Sequence, residues 1–376
     1  MKLVFWQSIP SAHLIFFMTE IREIRSDYQV VLVVNNLSDG VRESMGWNFY
    51  DEYENIEILV APGKKVVKDI LDDPASIHII SGFKGFPAYK IVLQYLLDGR
   101  IFGGFLMERP ILWGIKGRLR RLFYFRYEGK YASVSQFVFT FGEDACNWYK
   151  SVGFAPQRVI PFLYTVNSLN NSNFVIPLYE KSETFFDIIF IGSVIQRKGV
   201  DILIRSLARL NKYYKFRLHI IGDGDQRNKV LKLISKLKLT GKVFFYGFQS
   251  NEVSRATIAE SDLLVLPSRF DGWGAVVNEA LTQGVPVVCT SNCGASSLLL
   301  DKPQNGEVID DSEYSLYKAL KKRIEQGKIG VVQRQTIVDW AQKSISPHVA
   351  AEYFLERLDE IKTDEGYTCN TTAPWD

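Results

Sequence analysis

The chain has 376 residues, enough for two domains of ordinary size with a core each. Apolar residues make up 47% and charged residues 23%, the balance of a soluble globular protein, which sets aside disordered and collagen-like classes. The formal net charge of +3 sets aside a general binder of polyanions, although charge can still concentrate locally. Cys146, Cys289, Cys293 and Cys369 have no paired short spacing and only four histidines accompany them, so neither a disulfide framework nor a zinc site is expected, and a reducing cytosol fits. No run approaches the roughly eighteen apolar residues of a membrane span, so any membrane contact is expected to be peripheral.

Taken in order, Lys2 to Phe5 reads as a strand. The loop from Gln7 to His13 interrupts the apolar N-terminus, no small-residue cleavage pattern follows, and an amphipathic helix then runs from Leu14 to Arg25. Apolar runs at Gln29 to Val34, Ile56 to Val60, Ile77 to Ser81, Phe105 to Met107 and Phe137 to Phe141 alternate with helix-like stretches, among them Ala88 to Leu97 and Glu143 to Lys150. Such alternation predicts a parallel sheet with helices on both faces, and ligands bind such sheets beyond the carboxyl ends of the strands. His13 lies in a loop at that position. Two readings stand for it: a local hydrogen bond to a carbonyl, or a contact to a sugar.

Between Arg109 and Lys130 seven basic residues stand against one acidic residue, interleaved with Trp113, Phe123, Tyr124, Phe125 and Tyr127. That mixture suits an anionic membrane surface, where each Lys or Arg adds roughly 1 kcal/mol. It would also suit an RNA groove, or a helix with a solvated basic face; with so small a net charge, nucleic acid is not expected as a partner. Pro156 to Tyr164 leads into an Asn- and Ser-rich segment that predicts a linker near residue 170.

The second half opens on a strand, Phe185 to Ile191, a turn at Gly192 and Ser193, and a helix from about Gly199, with Arg197 and Lys198 just before it. Cations there can reach diphosphate oxygens. Phe216 to Asp225 and Val243 to Phe248 read as further strands ending in turns at Gly222 and at Gly247 with Phe248, and His219 reads as a core histidine. From Asp262 to Pro267 runs another apolar strand. It leads through Asp271, Gly272, Trp273 and Gly274 into a helix at Ala275 to Leu281, with Glu279 in its second turn. Glycines at a strand-to-helix junction let a ligand approach the backbone, first-turn amides suit phosphate, and the two carboxylates can accept hydrogen bonds from sugar hydroxyls. Cys289 and Cys293 read as structural. Helices at Ser312 to Gln326, Val331 to Lys343 and His348 to Ile361 close the chain, with a loose tail from Thr363.

The stretch PSRFDGWGAVVNEA resembles the acidic signature of the family 4 retaining glycosyltransferases, in which Pro-Ser precedes two glutamates with seven residues between them that frame Gly-Phe-Gly. Asp271 stands for the first glutamate and Trp273 for the phenylalanine. Lys198 and Gly199 match that family's Lys-Gly pair, whereas Ser193 occupies its arginine position and the first loop lacks its glycines.

The resemblance implies an α/β protein of two doubly wound Rossmann-like domains facing across a cleft, the GT-B arrangement. Residues 1–168 would bind acceptor, 169–345 a nucleotide sugar, and 346–376 would cross back as a helix with a loose tail. It further implies transfer of a sugar from a nucleoside diphosphate sugar with retention, without cofactor or metal. Lys198, with Arg197 compensating for Ser193, would meet the diphosphate, Asp271 the donor sugar and Glu279 the ribose, with His13 near the chemistry. Gly192, Ser193, Gly222, Phe248, Gly272, Trp273, Gly274 and Ala275 would line the donor site. The expected acceptor is a lipid-linked glycan of capsule or O-antigen assembly at the inner face of the cell membrane. A non-catalytic nucleotide-sugar-binding adaptor and an epimerase are the alternatives.

Overall fold

The computed structural model describes residues 1–38, 40, 56–112, 114–167, 177–179, 181, 183–363 and 372–376. Trp113, the side chains of Lys116 and Arg118, the segment 168–176, most of the tail and Cys369 lie outside the described residues. Two compact units divide the chain: the first gathers the N-terminal part to Asn167 with Ile345–Pro374, the second Ser168–Ser344.

In the first unit the apolar runs form β1 (Lys2–Gln7), β2 (Gln29–Val34), β3 (Glu57–Val60), β4 (Ser76–Ile80), β5 (Phe102–Met107), β6 (Val138–Phe141) and β7 (Val159–Phe162). All pairings are parallel, in the order β3-β2-β1-β4-β5-β6-β7. The near-continuous Val, Ile and Phe of these strands follow from burial on both faces. Helices α1 (Ala12–Ile24), α2 (Lys64–Leu71), α3 (Tyr89–Leu97), α4 (Gly114–Gly129) and α5 (Glu143–Ser151) make the crossovers. The segment from Pro156 to Tyr164, which leads into the linker expected near residue 170, contributes β7, which lies at the sheet edge, where Pro161 costs no ladder bond that a central strand would need.

In the second unit β8 (Phe186–Ile191), β9 (Phe216–Ile221), β10 (Val243–Phe245), β11 (Leu263–Leu266), β12 (Val287–Thr290) and β13 (Gly306–Ile309) form a parallel sheet in the order β10-β9-β8-β11-β12-β13. Helices α6 (Val200–Leu210), α7 (Arg227–Lys236), α8 (Asn251–Ala259), α9 (Val276–Thr282), α10 (Glu313–Gln326) and α11 (Val331–Ile345) connect or cover it. The last helix, α12 (Pro347–Thr363), packs on α1 in the first unit. There Phe354 meets Phe17 at 5.3 Å and Phe139 at 4.8 Å between ring centroids, and all three rings are fully buried. Arg25 reaches Asp359 at 3.3 Å on the rim of the same contact.

Both sheets reverse strand order beside their first strand, at β1/β4 and at β8/β11. A doubly wound sheet leaves a crevice at the carboxyl ends of such strands.

Candidate functional site

In the second unit the loops after β8 and β11 meet at that switch point and are sewn together by hydrogen bonds to main-chain carbonyls. Arg269 N donates to Arg197 O at 2.7 Å, and Arg197 Nη1 donates to Phe270 O at 2.9 Å. Arg269 adds a clamp that sequence reasoning missed. Its guanidinium donates to Gln196 O at 2.7 Å and holds Asp201 with two bonds of 2.8 Å. Fork-to-carboxylate geometry of this kind fixes direction as well as distance.

Two glycines make the approach of the loops possible. Gly199 caps the single 3₁₀ turn Gln196–Lys198 with φ 71°, and a Cβ there would stand 2.0 Å from Pro267 O. Gly222 has φ 131°, and its Cβ would meet Gly192 O at 2.1 Å; its amide donates to Gly247 O at 2.7 Å. Gly192, Gly222, Gly247 and the exposed ring of Phe248 therefore gather beside the switch point on the loops after β8, β9 and β10.

At the centre is a charge cluster. Lys198 Nζ contacts Asp271 Oδ2 at 2.5 Å, Arg197 Nη1 lies 3.6 Å from Oδ1, and Ser268 Oγ donates to Oδ2 at 3.4 Å. Asp271 is 7% exposed, held by its own amide bond to Asn292 O and by a bridge to Cys293. The carboxylate thus aims two cations, which contribute a paired charge at a partly desolvated position. Ser193, at the resembling family's arginine position, is on the same turn.

The remaining expected site residues separate into two groups. Ala275 caps α9 and Glu279 falls in its first turn rather than the second, because the helix starts only at Val276. Glu279 is 6% exposed and accepts from Asn251 Nδ2 at 3.3 Å; burial raises its carboxyl above the usual range, while the Arg255 charge and the Asn251 bond pull it down. Trp273 departs from its expected role in lining the site. Its ring is 1% exposed and its Nε1 donates to Asn278 Oδ1 at 2.8 Å, so it anchors the turn from beneath. Cys293 packs under the same turn, its thiol donating to Trp273 O at 2.8 Å, and burial pushes that thiol well up. Gly272 and Gly274 thus ride on a packed floor, where a Cβ on Gly274 would meet Cys293 Sγ at 2.6 Å.

His13 belongs to the first unit. Its carbonyl accepts from Thr165 N at 2.9 Å and Oγ1 at 3.0 Å, and its ring leans on Tyr164. Basic helix α4 is mostly exposed, with Ile115 82%, Leu119 78% and Leu122 68% accessible beside Arg120 and Arg121. Among the described residues no helix is long and apolar enough to cross a membrane, and no group of three or more His, Cys, Asp or Glu could hold a metal ion.

Comparison with known proteins agrees with this fold. The family model for glycosyl transferases of group 1 matches residues 175–364. The chain is 32% identical over 162 residues to the lipopolysaccharide core biosynthesis glycosyltransferase LpsE of Rhizobium meliloti, covering 39% of this chain and 46% of LpsE. It is 31% identical over 143 residues to the N-acetylgalactosamine-N,N'-diacetylbacillosaminyl-diphospho-undecaprenol 4-alpha-N-acetylgalactosaminyltransferase of Campylobacter jejuni, covering 38% of each. The chain thus spans less than half the length of these curated relatives. Anabaena HepE, solved in complex with UDP and glucose, superposes with a TM-score of 0.71 over 96% of this chain and 99% of its own, at 16% identity. The fold is that of GT-B proteins, and the chain belongs to the glycosyl transferases of group 1.

Proposed function

We propose that the protein is a retaining glycosyltransferase of family 4, which binds a nucleoside diphosphate sugar on its second unit and a glycan acceptor on its first. The observation that carries this reading is the Lys198–Asp271–Arg197 cluster, set between glycine-compressed loops at the switch point. In the reaction the bond from the anomeric carbon to the diphosphate breaks, and its electron pair leaves on a phosphate oxygen. The acceptor hydroxyl oxygen forms the new bond to the anomeric carbon and gives up its proton to the departing diphosphate oxygen. Lys198 and Arg197 neutralise the charge that develops on the leaving group, a type of contact worth about 3 to 4 kcal/mol. Asp271 holds both cations in place and offers its remaining lone pairs to a donor sugar hydroxyl; Glu279 receives the ribose. The chemistry as proposed needs no metal.

Lipopolysaccharide and diphospho-undecaprenol in the names of two relatives favour a lipid-linked acceptor of capsule or O-antigen assembly. The exposed apolar and basic residues of α4 favour peripheral contact with an anionic membrane at the cytoplasmic face. Neutralising Arg118, Arg120 and Arg121 together is expected to release the protein from anionic liposomes; equal co-sedimentation would end that part.

Ser193, in place of the resembling family's arginine, favours a second reading, a nucleotide-sugar-binding protein without turnover. One experiment separates the two. A panel of nucleotide sugars is screened for a rise in melting temperature, since a donor stabilises by mass action, and the best donor is incubated with and without acceptors. Slow release of free sugar without acceptor supports the enzyme; tight donor binding with no hydrolysis and no transfer supports the binding protein.

A further inference from the structure

The first unit holds a cavity of about 560 Å³ at the carboxyl ends of β1, β4 and β5, where that sheet reverses its strand order. Its wall includes Gln7, Ser81, Phe83, Tyr127, Glu128 and Tyr164. Two of these residues carry buried polar atoms without a partner, and a third is a buried carboxyl. Gln7 is 3% exposed; its Oε1 accepts from Ser11 N at 3.1 Å, while its Nε2 has no partner. Ser81 Oγ has no partner either. Glu128 is 3% exposed, and one carboxylate oxygen accepts from Trp148 Nε1 at 2.6 Å.

A buried polar group left unpaired costs about 1–3 kcal/mol, and a folded protein keeps few of them. Two such groups and a buried carboxyl on one cavity wall point to hydroxyls that arrive with a ligand. Aromatic faces flank them. Phe83 packs at 5.3 Å on Tyr131 and 5.8 Å on Tyr127, and Tyr164 stacks on Phe141 at 4.1 Å. Amide, hydroxyl and carboxyl groups over aromatic rings suit a pyranose, which presents hydroxyls at its edge and C–H bonds on its face.

A second cavity, of about 1050 Å³, shares Phe83, Lys84 and Tyr127 with the first and is walled largely by apolar residues such as Val67, Phe86, Pro87 and Ile91. Lys84 stands exposed at the junction. Its ammonium lies 4.5 Å from the Phe123 ring centroid and 5.0 Å from that of Tyr127, and it forms no ion pair among the described residues.

We propose that the smaller cavity binds the terminal sugar of the acceptor through Gln7, Ser81 and Glu128, with Lys84 at its mouth matched to a phosphate that links this sugar to an apolar chain in the larger cavity. Sugar binding stands on the cavity alone; naming that sugar the acceptor rests on the glycosyltransferase reading.

The test titrates the full chain with methyl glycosides of hexoses, N-acetylhexosamines and 6-deoxyhexoses, and with octyl phosphodiesters of the same sugars, by saturation-transfer NMR. At least one sugar is expected to bind, its octyl phosphodiester about tenfold tighter. Ser81→Ala and Glu128→Gln are each expected to weaken both forms about three- to tenfold, the size of one lost hydrogen bond. Lys84→Met is expected to remove only the advantage of the phosphodiester. The Ser81 hydroxyl has no protein partner, so its removal leaves the fold intact, and a melting temperature no lower than that of the wild type checks this. No binding by any glycoside, or binding indifferent to Ser81→Ala and Glu128→Gln, would overturn the sugar site. An octyl phosphodiester that binds no tighter would overturn the role of Lys84. Nucleoside diphosphate affinity, measured in parallel, is expected to stay constant across these variants. Its absence from the wild type, with glycoside binding intact, would overturn the glycosyltransferase reading and still support the sugar site.

Discussion

The loop after β1 and the loop after β8 occupy equivalent places in two similar sheets, yet their chemistry differs. Between β8 and α6 the chain places Gly192 and Gly199 around two cations, and at Gly199 the backbone of Pro267 approaches so closely that a single methyl would collide. Between β1 and α1 it places no glycine and no cation, but Ser8, Ile9, Pro10 and Ser11, with Gln7 ending the strand before them and His13 in the first turn of the helix rather than in the loop. Bare backbone and fixed positive charge select phosphate. Amide and hydroxyl side chains on an aromatic wall select a neutral polyol. On the reading proposed above, the shared topology locates both sites, and loop composition decides which ligand each takes.

Changes on either side ought to break one site and spare the other. The largest effect is expected from Lys198→Ala, a loss of about 10² to 10³ in kcat, equivalent to roughly 3 to 4 kcal/mol, read by turnover at saturating donor. A rate close to wild type would remove Lys198 from the chemistry.

Next comes the pH dependence of the first unit. Burial pushes the Glu128 carboxyl up to about 7, against the opposing pull of the Trp148 bond and the Lys84 charge. The folded protein therefore holds this proton more tightly than the unfolded chain. The cost is absent below the ordinary carboxyl value of 4.5, grows as pH rises toward 7, and is fully present above it. It amounts to about 3 kcal/mol. In Glu128→Gln the melting temperature should fall less between pH 5 and pH 8 than in the wild type; parallel curves would show that the carboxyl titrates normally.

Arg269→Ala should act on the second unit alone. Losing the Asp201 pair and the Gln196 carbonyl bond loosens the turn that presents Lys198, and donor KM is expected to rise about tenfold, near 1.4 kcal/mol, with glycoside binding unchanged. The smallest change is expected from Ser81→Ala, a gain in stability of up to about 1 kcal/mol in the ligand-free protein, because an unpaired hydroxyl disappears. Measurable destabilisation would mean that the hydroxyl has a protein partner.

The same contrast decided what the sequence made legible. The second unit's site is local: Gly192 to Gly199 and Pro267 to Glu279 are continuous strand-loop-helix stretches, so glycines, cations and carboxylates could be read together. The first unit's cavity draws Gln7, Ser81 and Glu128 from β1, from the end of β4 and from α4, and each alone reads as an ordinary polar residue. Only a solved register brings them to one wall. Strands β7 and β13 were missed because each has only four residues, with Pro161 inside one and Gly306 opening the other. Arg269 gave no signal, since its partners Gln196 and Asp201 lie on another loop and helix. Trp273 gave a misleading one: its place beside two glycines suggested a ligand contact, whereas its bond to Asn278 holds it in the floor.

The central claim is that the two switch points divide the labour, phosphate on the second unit and sugar hydroxyls on the first. It is tested most directly by calorimetric titration of the best-binding nucleoside diphosphate into the wild type, Lys198→Ala and Ser81→Ala. Affinity is expected to fall at least about tenfold in Lys198→Ala, the cost of one charge-assisted contact, and to stay at the wild-type value in Ser81→Ala. Equal affinity in all three proteins, or a loss in Ser81→Ala as large as in Lys198→Ala, would contradict it.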